Sequence, residues 1–177
     1  CFRPFPSRQI VEALQHCKAF SVLERMDDPL STTGNHLTRE IKAAFCDAAT
    51  GQNGLEKLER IPQIYAGAAG LGSRDVRVGD IMAVVENMME EGQDYFCIGI
   101  DHALALKVTE DPDLREPGTF SMRGHSIGGF GSVTTNKVIA TIGGDVFGKD
   151  VQAYPKYGSE KKGLPTTYYL TIAEKHI

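Results

Sequence analysis

The sequence predicts an α/β protein: an open, mostly parallel sheet with flanking helices, followed by the beginning of a second α/β unit. Three observations carry this. Helix-spaced apolar residues alternate with short β-prone runs from residue 6 to residue 100, the pattern of a parallel layered sheet. A polar stretch with Pro112 and Pro117 then interrupts the alternation. After it, a glycine-rich turn separates a short apolar run from another helix-spaced one.

Taken in order, Pro6 and Ser7 open a helix with Ile10, Val11, Leu14 and Cys17 on its inner face. Residues 18–23 form a strand, and the polar loop 24–29 sits where open α/β sheets bind ligands or partners; a solvated connection is the blander reading. A helix over 37–49 places Leu37, Ile41, Ala44, Phe45 and Ala48 on one face. Gly51 stops it, and the segment to Arg60 reads as a mobile insertion. Residues 61–66 form the next strand and lead into Gly67, Gly70 and Gly72, read as backbone geometry more than ligand contact. Over 78–89 the helix stripe is Val78, Ile81, Met82, Val85 and Met89, with the methionines assigned to packing rather than metal binding. The run 95–100 reads as a central strand buried on both faces. Residues 101–117 are the interdomain connection, with His102 given a loop-capping role rather than a catalytic one.

In the second part, residues 118–122 form a short buried strand and residues 133–142 a helix marked by Val133, Val138, Ile139 and Ile142. Strands are expected over 150–154 and 166–172, joined by a lysine-rich loop.

Composition removes several function classes. The chain has 177 residues and a formal net charge of −4, which argues against a nucleic-acid partner because phosphate contacts need a basic face. Its four cysteines form no Cys-x-x-Cys pair, so no metal site is expected, and Cys17, Cys46 and Cys97 read as buried thiols of a cytoplasmic protein. No apolar run reaches membrane-spanning length. The opening at Cys1 rather than methionine reads as a cut from a longer polypeptide, or as a processed terminus.

The candidate site is an anion cradle. Gly124, Gly128, Gly129 and Gly131 lie between strand and helix. Glycines permit positive φ and close approach to the backbone, while a helix start presents unpaired N–H groups at the positive end of its dipole. Ser132, Thr134 and Thr135 add hydroxyls, and Lys156, Lys161 and Lys162 are charge partners for phosphate or carboxylate. The spacing matches neither G-x-G-x-x-G nor the Walker pattern. A tight turn without ligand, beside a solvated hairpin tip, therefore stays open. No catalytic residue emerges.

Residues 123–137 (Arg-Gly-His-Ser-Ile-Gly-Gly-Phe-Gly-Ser-Val-Thr-Thr-Asn-Lys) resemble the opening motif of the γ domain in 2-oxoacid:acceptor oxidoreductases, the pyruvate:ferredoxin oxidoreductase superfamily. Residues 154–163 resemble a later part of that domain. Residues 3–5, 22–25, 70–75 and 99–101 resemble the preceding domain, which is related to the transketolase C-terminal domain. The resemblance implies a transketolase C-terminal-like domain over 1–116 and the N-terminal part of a γ-type domain over 117–177. It also implies oxidative decarboxylation of a 2-oxoacid to acyl-coenzyme A, with thiamine diphosphate, magnesium, [4Fe–4S] clusters and coenzyme A. Ferredoxin or flavodoxin would accept the electrons, and the assembly would be homo-oligomeric. This sequence carries no Gly-Asp-Gly…Asn thiamine motif and no cysteine cluster, so the segment by itself is expected to be inactive. The alternatives are a non-catalytic interaction subunit or a small nucleotide- or phosphate-binding α/β protein.

Overall fold

A computed structural model describes residues 3–28, 30–31, 33–157 and 165–175. The chain divides into two compact units, Cys1–Pro112 and Asp113–Ile177.

In the first unit α1 (Ser7–Leu14), β1 (Ala19–Glu24), α2 (His36–Thr50), β2 (Gln63–Ala68), α3 (Val78–Met89) and β3 (Tyr95–Cys97) follow one another. The strands form a parallel sheet of order β1-β2-β3. Val11, Val22, Ile41, Ala44, Phe45, Ala48 and Ile64 make one core with α1 and α2. Tyr65, Ala69, Val84, Phe96 and Ile98 make the other with α3. Adjacent residues Ile64 and Tyr65 enter different cores because successive strand side chains leave opposite faces. Burial on both faces explains why β2 reads as an unbroken apolar run.

The central position belongs to β2. The run expected to be central holds only three strand residues, at the end of the order, although Phe96 and Ile98 are fully buried. Its outer side is partly closed by an isolated bridge from Cys97 to Ala105.

Helix α2 starts without a side-chain cap from Asn35. Its first turn is held instead by Glu24, at the carboxyl end of β1. The carboxylate accepts from Leu37 N–H (2.7 Å), Thr38 N–H (3.0 Å) and the Thr38 hydroxyl (2.8 Å). These are the orphan donors of a helix start, facing a negative charge at the positive dipole end. At the other end Gly51 adopts φ 69° and Gln52 N–H reaches Asp47 C=O, a left-handed helix stop.

The segment expected to be mobile, up to Arg60, is anchored. Leu55 and Leu58 pack on the first core, Arg8 donates to Gly54 C=O at 2.8 Å, and Leu58 N–H donates to Ala48 C=O at 3.0 Å. Single apolar residues between polar ones carry no periodic signal.

Helix α3 spans the predicted range but is turned. Its buried face is Gly79, Asp80, Ala83, Val84 and Asn87, whereas Val78, Ile81, Val85 and Met89 are exposed. Three contacts fix this. A Cβ on Gly79 would lie 2.4 Å from Glu110 C=O, so only glycine fits there. Asp80 accepts from Arg77 N–H at 2.9 Å, and Asn87 exchanges two hydrogen bonds with Gln93. Backbone pairing and close approach thus outweigh the burial of the larger apolar stripe. Met88 packs as expected, while Met89 is 79% exposed.

Part of the expected connection is built into this unit. Leu106 joins the second core, and Asp111 accepts from Gly79 N–H at 2.9 Å. His102 Nδ1 accepts from Leu104 N–H at 3.1 Å, the loop-capping role assigned to it.

In the second unit β4 (Phe120–Ile127) leads to α4 (Ser132–Thr141) and a π turn (Ile142–Val146). Then follow β5 (Asp150–Lys156) and β6 (Pro165–Ala173). The sheet is antiparallel, of order β4-β6-β5. β4 is longer and less buried than expected: Phe120 and Ile127 are exposed, and the positions facing α4 include Gly124 and Ser126. Small residues on that face hide the strand from a hydrophobic-pattern search.

Glu24→Ala should lower the unfolding free energy by about 2 kcal/mol or more, because buried donors lose their acceptor. Glu24→Gln, which keeps an acceptor, should lose less. Chemical denaturation reads both; equal, negligible losses would remove Glu24 from this role.

Candidate functional site

The turn from Gly128 to Gly131 joins β4 to α4. Gly129 has φ 102° and Gly131 φ 79°, both in the region that favours glycine. A Cβ built on either meets nothing within 4 Å. These two glycines therefore answer to backbone conformation, and the space above them is open to a ligand oxygen.

Gly131 caps α4 and offers no side-chain acceptor. The first helical bond runs from Thr135 N–H to Gly131 C=O at 2.9 Å, so the N–H groups of Ser132, Val133 and Thr134 precede the intrahelical ladder. Ser126 and Ser132 hydroxyls are hydrogen-bonded to each other, which holds the end of β4 against the helix start. Thr135 turns its hydroxyl back to Gly131 C=O at 3.2 Å, and Thr134 is exposed on the first turn. The arrangement presents donors and hydroxyls to an anion.

Gly124 lies inside β4, not in the turn. A Cβ there would come within 3.2 Å of Asn136 Nδ2, and Asn136 is buried against the strand, donating to Ser132 C=O at 2.8 Å. Gly124 therefore lets α4 approach the sheet. Gly143 does the same in the π turn, where a Cβ would lie 3.0 Å from Ile172.

The lysines separate. Lys156 pairs with Thr167, which pairs with His125. Because Gly124 and Ser126 face α4, alternation puts His125, Thr167 and Lys156 on the opposite sheet face. Lys161 and Lys162 lie outside the described residues. The structure therefore brings together Gly128, Gly129, Gly131, Ser132, Thr134 and Thr135, and sets Lys156 apart from them.

At the carboxyl edge of the first sheet the loop after β1 is stitched to its neighbours. Asn35 accepts from Asp28 N–H at 2.9 Å and donates to Met26 C=O at 2.7 Å, and Arg39 pairs with Asp28 at 3.3 Å. Tyr95 donates its hydroxyl to Asp27. Burial, then the bond and charge of Asp27, push the Tyr95 phenol up to about 12. Sequence patterns did not find this pair, since its members stand 68 residues apart. The glycines of the second loop serve geometry: Gly70 and Gly72 have φ 66° and 60°, and a Cβ on Gly67 would lie 2.5 Å from Phe96.

Among the described residues no group of three or more His, Cys, Asp or Glu could hold a metal ion, and no helix is long and apolar enough to cross a membrane.

The sequence profile described as pyruvate ferredoxin/flavodoxin oxidoreductase matches residues 121–177, which include β4, the turn and α4. The pyruvate:ferredoxin oxidoreductase of Moorella thermoacetica is 28% identical over 181 residues, covering 99% of this chain and 14% of that protein. The pyruvate-flavodoxin oxidoreductase of Enterobacter agglomerans is 26% identical over 182 residues, covering 99% of this chain and 15% of that protein. The family match thus lies in the second unit, and the similarity to these relatives extends over the whole chain. A pyruvate dehydrogenase [NADP(+)] of Cryptosporidium parvum is 27% identical over 182 residues, with 99% of this chain and 9% of that protein covered. The chain thus spans about a seventh of the length of the first two of these relatives.

Two outcomes follow from this geometry. Gly131→Ala should destabilise the second unit by about 1 kcal/mol because φ is positive, and Gly131→Asn should cost less. Equal melting of the two variants would contradict that. For Tyr95 the folded pKa exceeds the unfolded one, so its contribution is full below pH 10 and fades as pH rises towards 12. The stability of the parent should fall more steeply than that of Tyr95→Phe across this window. Parallel curves would exclude the effect.

Proposed function

We propose that the chain is a working part of a 2-oxoacid:ferredoxin or flavodoxin oxidoreductase that converts a pyruvate-like 2-oxoacid to its acyl-coenzyme A. The observation that carries this is alignment over 99% of the chain with pyruvate:ferredoxin and pyruvate-flavodoxin oxidoreductases. In such an enzyme, thiamine diphosphate with magnesium and [4Fe–4S] clusters held by other segments would supply decarboxylation and electron transfer. Ferredoxin or flavodoxin would take the electrons, in the cytoplasm, from a homo-oligomeric assembly.

Within that enzyme the second unit, as the beginning of a γ-type domain, holds the phosphate end of coenzyme A at the glycine turn. The N–H groups of Ser132, Val133 and Thr134 donate to a phosphate oxygen, and the Ser132 hydroxyl adds a donor. Open space over Gly129 and Gly131 supports close approach of the ligand. Lys161 and Lys162 add charge from the connection between β5 and β6. Lys156 stands on the other sheet face and contributes only to the field around the site.

The first unit, transketolase C-terminal-like in this reading, supports assembly. The exposed stripe Val78, Ile81, Val85 and Met89 favours packing against other domains or subunits of the same oxidoreductase. Beside it lies a cavity of about 730 Å³, lined by Val85, Met88 and Met89 with Lys18 and Arg60 at its polar side. The same stripe also favours a second reading, a non-catalytic interaction subunit.

The purified chain, given thiamine diphosphate, magnesium, coenzyme A, pyruvate and a viologen dye, should reduce no dye. It should nonetheless bind coenzyme A saturably by calorimetry. Ser132→Asp should weaken that binding at least about tenfold by setting a like charge against phosphate. Pantetheine, which lacks phosphate, should not bind. Dye reduction would overturn the division of labour. Coenzyme A binding that is absent, or indifferent to Ser132→Asp, would leave the interaction-subunit reading in its place.

A further inference from the structure

The sheet face of the second unit opposite α4 carries an aromatic and basic ladder. The register aligns Arg123, Tyr169 and Tyr154 in one row across the three strands, and His125, Thr167 and Lys156 in the next. In the first row the tyrosine rings stack at 5.0 Å between centroids with 19° between planes. The Arg123 guanidinium lies 5.4 Å from the Tyr169 ring centre. In the second row the Thr167 hydroxyl and His125 Nδ1 are 3.2 Å apart.

Cation, ring and ring thus lead outward to Tyr154, which stands on the edge strand and is 51% exposed. Arg123 covers one face of Tyr169 and Tyr154 covers the other, so a further planar group has the outer face of Tyr154 as its stacking surface. Lys156 stands two residues along the same strand on the same face, about 7 Å away. By register no carboxylate belongs to either row, and Asp150 stands two rows off. In a chain of net charge −4, a face bearing Arg123, His125 and Lys156 selects an anion.

We propose that this face binds a nucleoside phosphate, with the base stacked on Tyr154 and the phosphate paired with Lys156. A planar base separated from an anion by one sugar matches the spacing of the two residues. Aromatic stacking accepts any base, and Arg123 polarises the stack beneath it. The proposal does not depend on the coenzyme A reading of the glycine turn, which lies at the end of β4 on the α4 side. Because the proposed function gives the phosphate end of coenzyme A to the turn, the ligand of this face is a free adenine nucleotide.

The test is calorimetric titration of the 177-residue chain with adenosine 5′-monophosphate, adenosine 3′,5′-bisphosphate, adenosine, ribose 5-phosphate and a short single-stranded oligonucleotide. Adenosine 5′-monophosphate should bind saturably, more tightly than adenosine or ribose 5-phosphate. Tyr154→Phe should retain this binding, and Tyr154→Leu should weaken it at least about fivefold. Lys156→Ala should weaken it and reduce its salt dependence. Ser132→Asp should leave it unchanged, which separates this site from the turn. The bisphosphate should bind as adenosine 5′-monophosphate does; tighter binding of the bisphosphate that is lost in Ser132→Asp would assign the nucleotide to the turn and overturn the proposal. The proposal fails if no saturation is reached in the millimolar range. It fails equally if Tyr154→Leu and Lys156→Ala bind as the parent does with melting curves intact, or if Ser132→Asp abolishes binding while Tyr154→Leu does not. Affinity that climbs with oligonucleotide length would overturn it in favour of a nucleic-acid strand.

Discussion

Glu24 ends β1 and begins α2 at once. Its carboxylate accepts three hydrogen bonds from Leu37 and Thr38, so the direction of the first strand fixes where the next helix starts. The loop between them inherits its course from this bond. Gly34, at φ 105°, brings the chain so near that a Cβ would lie 2.8 Å from Thr38 and 3.0 Å from Ala66. Asn35, released from capping, instead ties down Met26 and Asp28. With α2 placed, Ile41, Ala44, Phe45 and Ala48 meet Val22 and Ile64, and the first core closes. A charged group is tolerated at this depth because each buried acceptor has a donor and the helix dipole favours the anion.

The second unit uses glycine in two different ways around one helix. Gly124 and Gly143 sit where the sheet and the helical segment touch, and a methyl group at either would meet Asn136 or Ile172. Gly129 and Gly131 sit in open space and are required by positive φ. Ligand approach and helix packing, which compete as explanations when only spacing is known, are thus divided between different positions. The helix start stays exposed while its body is held close to the sheet.

That division also bears on what each face of the antiparallel sheet offers. The α4 side ends in a turn rich in backbone donors, suited to a phosphate oxygen. The opposite side carries rings and cations in register, suited to a planar base beside an anion. Strand alternation keeps the two chemistries apart: neighbouring residues such as His125 and Ser126 serve different faces although they are adjacent in sequence.

The sequence by itself determined the alternation of helices and strands in the first unit, the extents of α2 and α3 to within a residue or two, the stop at Gly51 and the family motifs. These rest on local periodicity, turn chemistry and residue identity, which a linear reading captures. Tertiary structure decided the rest. It turned α3 so that Gly79, Asp80 and Asn87 face inward, because the Arg77 N–H, the Gln93 carbonyl and the Glu110 carbonyl stand there. It put β2 rather than β3 in the middle of the sheet and anchored the segment before Arg60 through Leu55 and Leu58. It also moved Gly124 into a strand and Lys156 to the far face from the turn. Each of these depends on a partner distant along the chain, and the energy of close packing and paired donors is set by that partner rather than by neighbours in sequence.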